Sequence, residues 1–252
     1  MRTLAAILLA VLLVGCQPAP EPEAPASAPA AEAAEPAEDR LAAVLDSMPE
    51  ETKARYQYRH PQETLEFFGI EPGMTVIEGL PGGGWYTRIL ANYLGEDGHV
   101  TGASYALDMY RLFSFASESF MARQEAWADK FSNDVAEWGG GTGASASAFH
   151  FGSMPDSVRG TADAALMPRA LHNLARFQNA GEADYLDIAL ADIYSALKPG
   201  GILGVVQHEA RPDMPDEWAT GGNGYLKKAY VIEAVEAAGV EFVGESPVNE
   251  NP

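Results

Sequence analysis

Apolar residues recur along the chain with two different periods, and the two periods alternate from about residue 40 onward. Short runs rich in apolar and β-branched residues, bounded by glycine or proline, predict buried strands. These strands are predicted at residues 74–77, 99–103, 147–151, 162–167, 202–207 and 240–243. Apolar residues at helical spacing predict helices from Pro61, from Trp85, and over residues 182–197 and 225–238. They also predict a helical region over residues 40–58 that Pro49 interrupts, and a long one over residues 109–138 that is either continuous or broken. The alternation predicts an α/β fold, with a mostly parallel sheet, helices on both faces and right-handed crossovers.

The stretch 74–94 is predicted to organise this fold. It reads as a strand, a glycine-rich turn over residues 79–84, and an amphipathic helix from Trp85. Consecutive glycines allow positive φ angles and let a ligand approach the main chain. The N–H groups at the start of the helix favour an anionic group, and Glu78 stands where the strand ends. The stretch therefore predicts the first half of a nucleotide-type βαβ unit.

Further polar residues follow the fourth and fifth predicted strands. Arg169, His172 and Asn173 come after the fourth strand, and His208 comes after the fifth. Ligands bind at the carboxyl ends of strands in open α/β sheets, so these side chains are candidates for a site. His172 is the candidate base, because imidazole titrates near neutral pH.

Each of these candidates also has a structural interpretation. His172 can be a hydrogen-bonded structural histidine. Glu78 can cap the adjacent helix through its N–H groups. Arg169 can be a surface or salt-bridge residue.

Three stretches resemble motifs of class I S-adenosylmethionine-dependent methyltransferases: Glu78 with the glycine turn, residues 163–167 (DAALM), and residues 197–203 (LKPGGIL). A finer pattern resembles an exported bacterial subgroup of predicted methyltransferases: YRHPQETLEFFG at 58–69, PGGGWYT at 81–87, and HN at 172–173. The resemblance implies a Rossmann-like methyltransferase fold with N-terminal helices that cover the ligand site. It also implies S-adenosylmethionine as cofactor, with an unknown small molecule or envelope component as methyl acceptor.

The resemblance also implies roles for individual residues. The implied cofactor-binding residues are Glu78, Gly79, Pro81, Gly82, Gly83, Gly84 and Asp108. His172 would be catalytic, and Tyr86, Arg169, Asn173 and His208 would line the substrate pocket. Little further covalent machinery is expected, since the sulfide that leaves a sulfonium is neutral.

The chain departs from the family pattern at four places. Leu80 stands where the first glycine of the turn is expected. The acid expected at the end of the second strand is missing, and Asp108 is the nearest substitute. Gly152 and Ser153 stand where an acid often follows the third strand. No counterpart of the last antiparallel strand of the family fold is visible between residues 243 and 252, so either that strand is missing or the sequence is incomplete.

Composition and charge limit the classes of binding partner that the sequence favours. The formal charge is −20, with 36 acidic and 16 basic residues, which argues against a nucleic-acid partner because phosphate backbones bind basic faces. The organisation that we expect is a leader at residues 1–16, a disordered Pro/Ala/Glu-rich tether at 17–39, and a single α/β domain at 40–252.

The leader is predicted to be a bacterial lipoprotein signal peptide. An apolar run over residues 3–14, too short to span a bilayer, ends at Cys16, the only cysteine in the chain. Cleavage before Cys16 and lipidation of its thiol would anchor the protein at the periplasmic side of the envelope, and Gln17 favours the outer membrane. The alternative is an ordinary signal peptide with an incidental cysteine.

A second function from a different class fits the same residues. It is a non-catalytic lipoprotein that keeps the methyltransferase fold and binds a small molecule in the same crevice. A variant places a metal ion between Glu78, His172 and His208, which end neighbouring strands of the expected sheet. A hydrolase is disfavoured, because the sequence has no G-x-S-x-G elbow.

Overall fold

The computed structural model describes residues 36–251. The strands are β1 (Thr75–Gly79), β2 (His99–Ser104), β3 (Ser145–His150), β4 (Ala162–Pro168) and β5 (Leu197–Val206). The helices are α1 (Ala37–Ser47), α2 (Glu50–Lys53), α3 (Tyr56–Arg59), α4 (Pro61–Phe67), α5 (Trp85–Tyr93), α6 (Leu107–Tyr110), α7 (Glu118–Glu125), α8 (Trp127–Trp138), α9 (Leu171–Asn179), α10 (Tyr185–Ala196) and α11 (Lys228–Ala237). The predicted signal peptide, the lipidation site Cys16 and most of the predicted tether lie outside the described residues. Within them, no helix combines the length and apolarity that crossing a membrane requires.

The five strands form one parallel sheet in the order β3-β2-β1-β4-β5. Ile77 in the central strand β1 lies opposite Thr101 of β2 on one side and Ala165 of β4 on the other. The chain leaves β1 towards β2 and later returns on the far side of β1 to form β4. The order therefore reverses between β1 and β4, which opens a crevice at the carboxyl ends of these strands.

Helices cover both faces of this sheet, as the alternation of elements predicted. Val76 and Ile77 are neighbours in β1, so their side chains point to opposite faces, and both are fully buried. Val76 packs in a cluster with side chains from α1, α4, α5 and α8, whereas Ile77 packs with side chains from α9 and α10. Burial on both faces explains the nearly continuous apolar runs in the strands.

The two longest helical regions that the sequence predicted are each divided into three shorter helices. The predicted helix 40–58 is divided into α1, α2 and α3, because Pro49 holds Met48 in an extended conformation with a ψ of 150°. The predicted helix 109–138 is divided into α6, α7 and α8, with Ser117 capping α7 through its hydroxyl.

The prediction of a sixth strand at 240–243 is wrong. Gly239 ends α11 with a φ of 100°, and the following residues form no regular pairing with β5. Val243 is 83% exposed, so this short apolar run has no sheet face on which to bury its side chains. The chain instead returns towards the N-terminal helices, where Asn249 Nδ2 donates to Thr64 Oγ1 at 2.9 Å. Within residues 36–251, β5 is therefore an edge strand with no antiparallel neighbour.

Candidate functional site

A cleft of about 830 Å³ lies at the carboxyl ends of β1, β4 and β5. Helices α2 and α3 contribute one wall, and the turn between β1 and α5 contributes the floor. The structure brings together in this cleft eight residues that the sequence singled out, namely Glu78, Pro81, Gly82, Gly83, Tyr86, Arg169, His172 and His208. The cleft thus occupies the place that the strand order alone favours for a ligand.

The turn between β1 and α5 exposes its main chain to the cleft. Gly82 has a φ of 58°, and a Cβ atom on either Gly82 or Gly83 would meet no atom closer than 3.9 Å. The amides of both glycines donate no hydrogen bond to any residue that the structure describes. The turn therefore offers two open N–H groups beside the start of α5, which suits an anionic or strongly polar ligand group.

Leu80 takes the conformation that a glycine would take in the resembling motif. Its φ of 53° lies in the left-handed region, which costs a residue with a Cβ about 1 kcal/mol or more. Its amide donates to the carbonyl of Ala103 in β2 at 2.7 Å, and its side chain packs towards the core. The substitution therefore keeps the shape of the turn at the cost of backbone strain.

The other two glycines assigned to the cofactor have packing roles here. A Cβ on Gly79 would collide with the side chain of Met167 in β4. A Cβ on Gly84 would collide with the ring of Trp138 in α8. Neither residue lines the cleft. In this structure Gly79 and Gly84 allow β1 and α5 to pack closely against β4 and α8.

Glu78 is a carboxyl group buried at the side of the cleft. It is 2% exposed, and Thr87 of α5 donates to its Oε2 at 2.5 Å. Its Oε1 accepts no hydrogen bond from the described residues, although Glu78 lines the cleft. Burial raises its pKa to about 7, against the opposing effects of the Thr87 hydrogen bond and the charge of Arg59. A cationic ligand would favour its ionised form.

The wall opposite the glycine turn carries Arg59. Its guanidinium lies 4.4 Å from the ring centroid of Trp85, a cation–π contact. Burial, together with the charges of Arg169 and Arg55, lowers its pKa to about 10. The carbonyl of Arg59 accepts a hydrogen bond from the hydroxyl of Tyr86 at 3.3 Å, which ties α3 to the first turn of α5.

His172 is held in one tautomer by Gln207. Gln207 Nε2 donates to the carbonyls of His208 and Gly224, at 3.2 and 3.1 Å. Its Oε1 therefore faces His172 as an acceptor, and it also accepts from the amide of His172 at 3.3 Å. The His172 Nδ1 lies 3.2 Å from this Oε1 and must carry the proton. His172 Nε2 is then unprotonated in the neutral ring. Burial and the charges of His208 and Arg169 lower the pKa of His172, against the effect of the Gln207 hydrogen bond, and these directions together favour the neutral form.

Besides Gly79 and Gly84, two predicted site residues, Asp108 and Asn173, lie outside the cleft. Asp108 is exposed on α6, where its Oδ1 accepts from the amide of Met109 and its Oδ2 from the hydroxyl of Tyr185. Asn173, in the first turn of α9, does not line the cleft. At the end of β2, Ser104 bonds the hydroxyl of Tyr110 at 2.7 Å, so no acid takes the expected position there.

The metal-binding variant of the second function finds no support in the described residues. Between residues 36 and 251, no group of three or more histidine, cysteine, aspartate or glutamate side chains is placed to hold a metal ion. Glu78 and His208 line the same cleft without forming such a group. Cationic side chains dominate this region instead.

Several residues that shape the site were missed by the sequence reasoning. Gln207 was predicted only as the end of a strand, and Thr87 ended the PGGGWYT motif at 81–87 without an assigned role. Arg59 belonged to a quoted motif but carried no assigned role. Their importance depends on contacts between separate elements, such as Gln207 with His172, 35 residues apart. Only Thr87 had a local signal in the sequence. It lies in the first turn of the helix that follows the glycine turn, close along the chain to Glu78.

Comparison with known proteins agrees with the strand order. No protein-family model and no curated protein matches the chain. The solved structure of an S-adenosylmethionine-dependent methyltransferase from Aquifex aeolicus aligns with 81% of this chain and 88% of its own, with a TM-score of 0.50 and 19% identity. The chain has the Rossmann-like methyltransferase fold. The predicted fold class is thereby confirmed.

Two further solved structures align less closely. An arsenic(III) S-adenosylmethionine methyltransferase from Chlamydomonas reinhardtii shares 17% identity, with 79% of this chain and 61% of that chain covered and a TM-score of 0.45. A putative sarcosine dimethylglycine methyltransferase from Galdieria sulphuraria shares 10% identity, with 78% and 66% covered and a TM-score of 0.48. The alignment with the Aquifex aeolicus structure shows the fold alone, and at 19% identity the activity has to be argued from the site itself.

Proposed function

We propose that the protein is an S-adenosylmethionine-dependent methyltransferase acting on a small molecule or an envelope component. The observation that carries the proposal is the open main chain of Gly82 and Gly83 beside the cleft-lining carboxyl of Glu78. These groups fit the amino-acid part of the cofactor, because free N–H groups suit its carboxylate and Glu78 suits its ammonium group. The cofactor would supply an electrophilic methyl group on a sulfonium.

The residues around this position would orient the reaction and move a proton. His172 Nε2 would accept the proton of an acceptor that must lose one, since the neutral tautomer leaves that nitrogen free. Gln207 would position His172 by fixing its ring. The remaining contribution would come from placement of the acceptor in the cleft, because proximity and orientation supply much of the rate in such transfers.

Calorimetry on the purified full-length protein tests this proposal. We expect micromolar binding of S-adenosylmethionine and of its demethylated product. Gly83→Val should abolish binding, because its side chain would fill the open space above the turn. Gly244→Val is the matched control, since Gly244 also lacks a positive φ and has no atom within 4 Å, but lies outside the cleft. A well-folded protein that binds neither compound would contradict the proposal.

A non-catalytic lipoprotein that binds a small molecule in this cleft is the second candidate. It is favoured by the ends of β2 and β3, where Ser104 and Ser153 stand in place of acids that would hold the adenosine part. Export would add to this case, because the usual methyl donor is made in the cytosol. Native mass spectrometry of the protein purified from its source would separate the two candidates, by revealing either the methyl donor or a different bound ligand.

We further propose that the protein belongs to an exported bacterial subgroup and is anchored by lipid on Cys16, at the periplasmic side of the outer membrane. The support is the sequence alone: an apolar leader that ends at the single cysteine, followed by a Pro/Ala/Glu-rich segment. In cell fractionation, the wild type should partition with the membrane, and Cys16→Ser should appear soluble or unprocessed. Unchanged membrane attachment of Cys16→Ser would contradict lipidation.

A further inference from the structure

The charges in the cleft differ from those of the whole chain. The chain has 36 acidic and 16 basic residues, yet the cleft is lined by more cations than carboxylates. The cations are four arginines, Arg55, Arg59, Arg88 and Arg169, and the carboxylates are Glu51 and Glu78. None of these arginines forms an ion pair with a residue between 36 and 251. An acidic chain that gathers four guanidinium groups without ion-pair partners in one cleft has the composition of an anion site.

Arg59 and Arg169 are held near each other although their charges repel. Arg59 is fixed by its stacking on Trp85 and is partly buried. Arg169 follows β4 with a φ of 56°, in the left-handed region, and its amide donates to the carbonyl of Val206 in β5 at 2.5 Å. A strained backbone and two adjacent like charges both cost free energy, so the fold maintains this arrangement against local preference.

Arg169 adjoins the candidate base. His172 and His208 line the same cleft, with ring centroids 6.4 Å apart, and the charge of Arg169 acts on both rings. These residues follow β4 and β5, whereas the open amides of Gly82 and Gly83 follow β1. The cleft therefore has Arg169 and the two histidines at the ends of β4 and β5, the open main chain at the end of β1, and Arg59 on the wall of N-terminal helices.

We propose that Arg59 and Arg169 form a subsite for an oxyanion, a carboxylate or phosphate group, carried by the methyl acceptor. This inference rests on the proposed methyltransferase function and names its substrate class, small organic anions. Guanidinium groups present planar pairs of N–H donors that match carboxylate and phosphate oxygens, and no lysine lines the cleft. An oxyanion here would relieve the repulsion between the arginines and hold the acceptor beside His172.

Calorimetry with inorganic phosphate tests the subsite, using the full-length protein at pH 8 with and without saturating S-adenosylhomocysteine. We expect phosphate to bind in both conditions. Arg59→Gln and Arg169→Gln should each weaken phosphate binding by about tenfold, the loss of one charge-assisted contact, and leave the binding of S-adenosylhomocysteine unchanged. Arg111→Gln is the matched control, because Arg111 is exposed and lies outside the cleft. If Arg59→Gln fails to fold, the exposed Arg169 carries the test.

Each other outcome has a distinct meaning. Phosphate displaced by S-adenosylhomocysteine would overturn the proposal, because the arginines would then serve the carboxylate of the donor. Phosphate affinity unchanged in both variants, or no phosphate binding by a protein that binds S-adenosylhomocysteine, would overturn it as well. Arginine-dependent phosphate binding without any binding of S-adenosylhomocysteine would instead defeat the methyltransferase proposal and, with it, the assignment of the subsite to a methyl acceptor.

Discussion

The Nδ1 atom of His172 lies 3.2 Å from Oε1 of Gln207, an oxygen that can only accept. This contact raises the pKa of His172, while burial and the charges of His208 and Arg169 lower it. Gln207→Leu should therefore lower the pKa of His172 further, and His208→Gln should raise it. Titration of the imidazole resonances by NMR measures both shifts, with the remote His99 as internal control. A pKa that moves in the opposite direction in either variant would refute the assigned contacts.

The buried Glu78 makes a separate prediction about stability and pH. Its pKa is raised from 4.5 to about 7 in the folded protein, so the folded state holds this proton more tightly than the unfolded state. Its contribution to stability is then present below pH 4.5 and is lost as the pH rises towards 7. Glu78→Gln has no group to titrate here, so its free energy of unfolding should not fall in this way. Relative to the wild type, it should rise by about 3 kcal/mol between pH 4.5 and pH 7.

Urea unfolding of both proteins at several pH values measures this difference. The difference between the two proteins removes the contribution of the histidines to the pH dependence of stability. Their lowered pKa values would otherwise make stability rise with pH, opposite to the effect of Glu78. A difference in unfolding free energy that does not change between pH 4.5 and 7 would show that Glu78 titrates normally.

Thr87 stabilises the carboxyl group of Glu78, and its removal should destabilise the fold. Thr87→Val keeps the shape of a fully buried side chain but removes the donor to Glu78 Oε2. We expect a loss of about 1–3 kcal/mol, since a buried acceptor is left with a missing partner. Thr101→Val is a matched control, because Thr101 is also buried and bonds a neutral hydroxyl, that of Ser147. Urea unfolding measures the loss of unfolding free energy in each variant. Equal losses would show that the hydrogen bond to Glu78 stabilises the fold no more than an ordinary buried one.

Two glycines of the same turn should respond differently to alanine. Gly79→Ala should cost about 1–3 kcal/mol of stability, because its methyl group collides with Met167. Gly83→Ala should be neutral or slightly stabilising, since its φ is ordinary and the space around it is open. Thermal unfolding distinguishes them, and a destabilised Gly83→Ala would mean that the floor of the cleft is packed.

The sequence predicted the scaffold of the site better than its lining. The strand, glycine turn and helix around Glu78 were predictable, because their signals are local in the chain. His172 and His208 were predictable because the carboxyl ends of parallel strands meet at one edge. Gln207 and Arg59 act through contacts between distant elements, which no local pattern records.

The wrong and untested predictions have physical reasons as well. The prediction of a sixth strand failed because three apolar residues within 240–243 do not indicate whether a sheet face is available to bury them. The interruption of the first helical region at Pro49 was predictable, because a proline disfavours the helical conformation of the residue before it, and Met48 is extended. Leu80 looked like a lost glycine, yet the turn keeps its left-handed conformation there. The anchor at Cys16 lies outside the described residues and stays a prediction.

The most direct test is a crystal structure of the full-length protein grown with saturating S-adenosylhomocysteine. We predict density for the ligand along the main chain of Gly82 and Gly83, with its amino group within hydrogen-bonding distance of Glu78 Oε1. Density at another place, or a cleft that stays free of ligand at saturation, would contradict the proposal that this turn is the floor of a cofactor site.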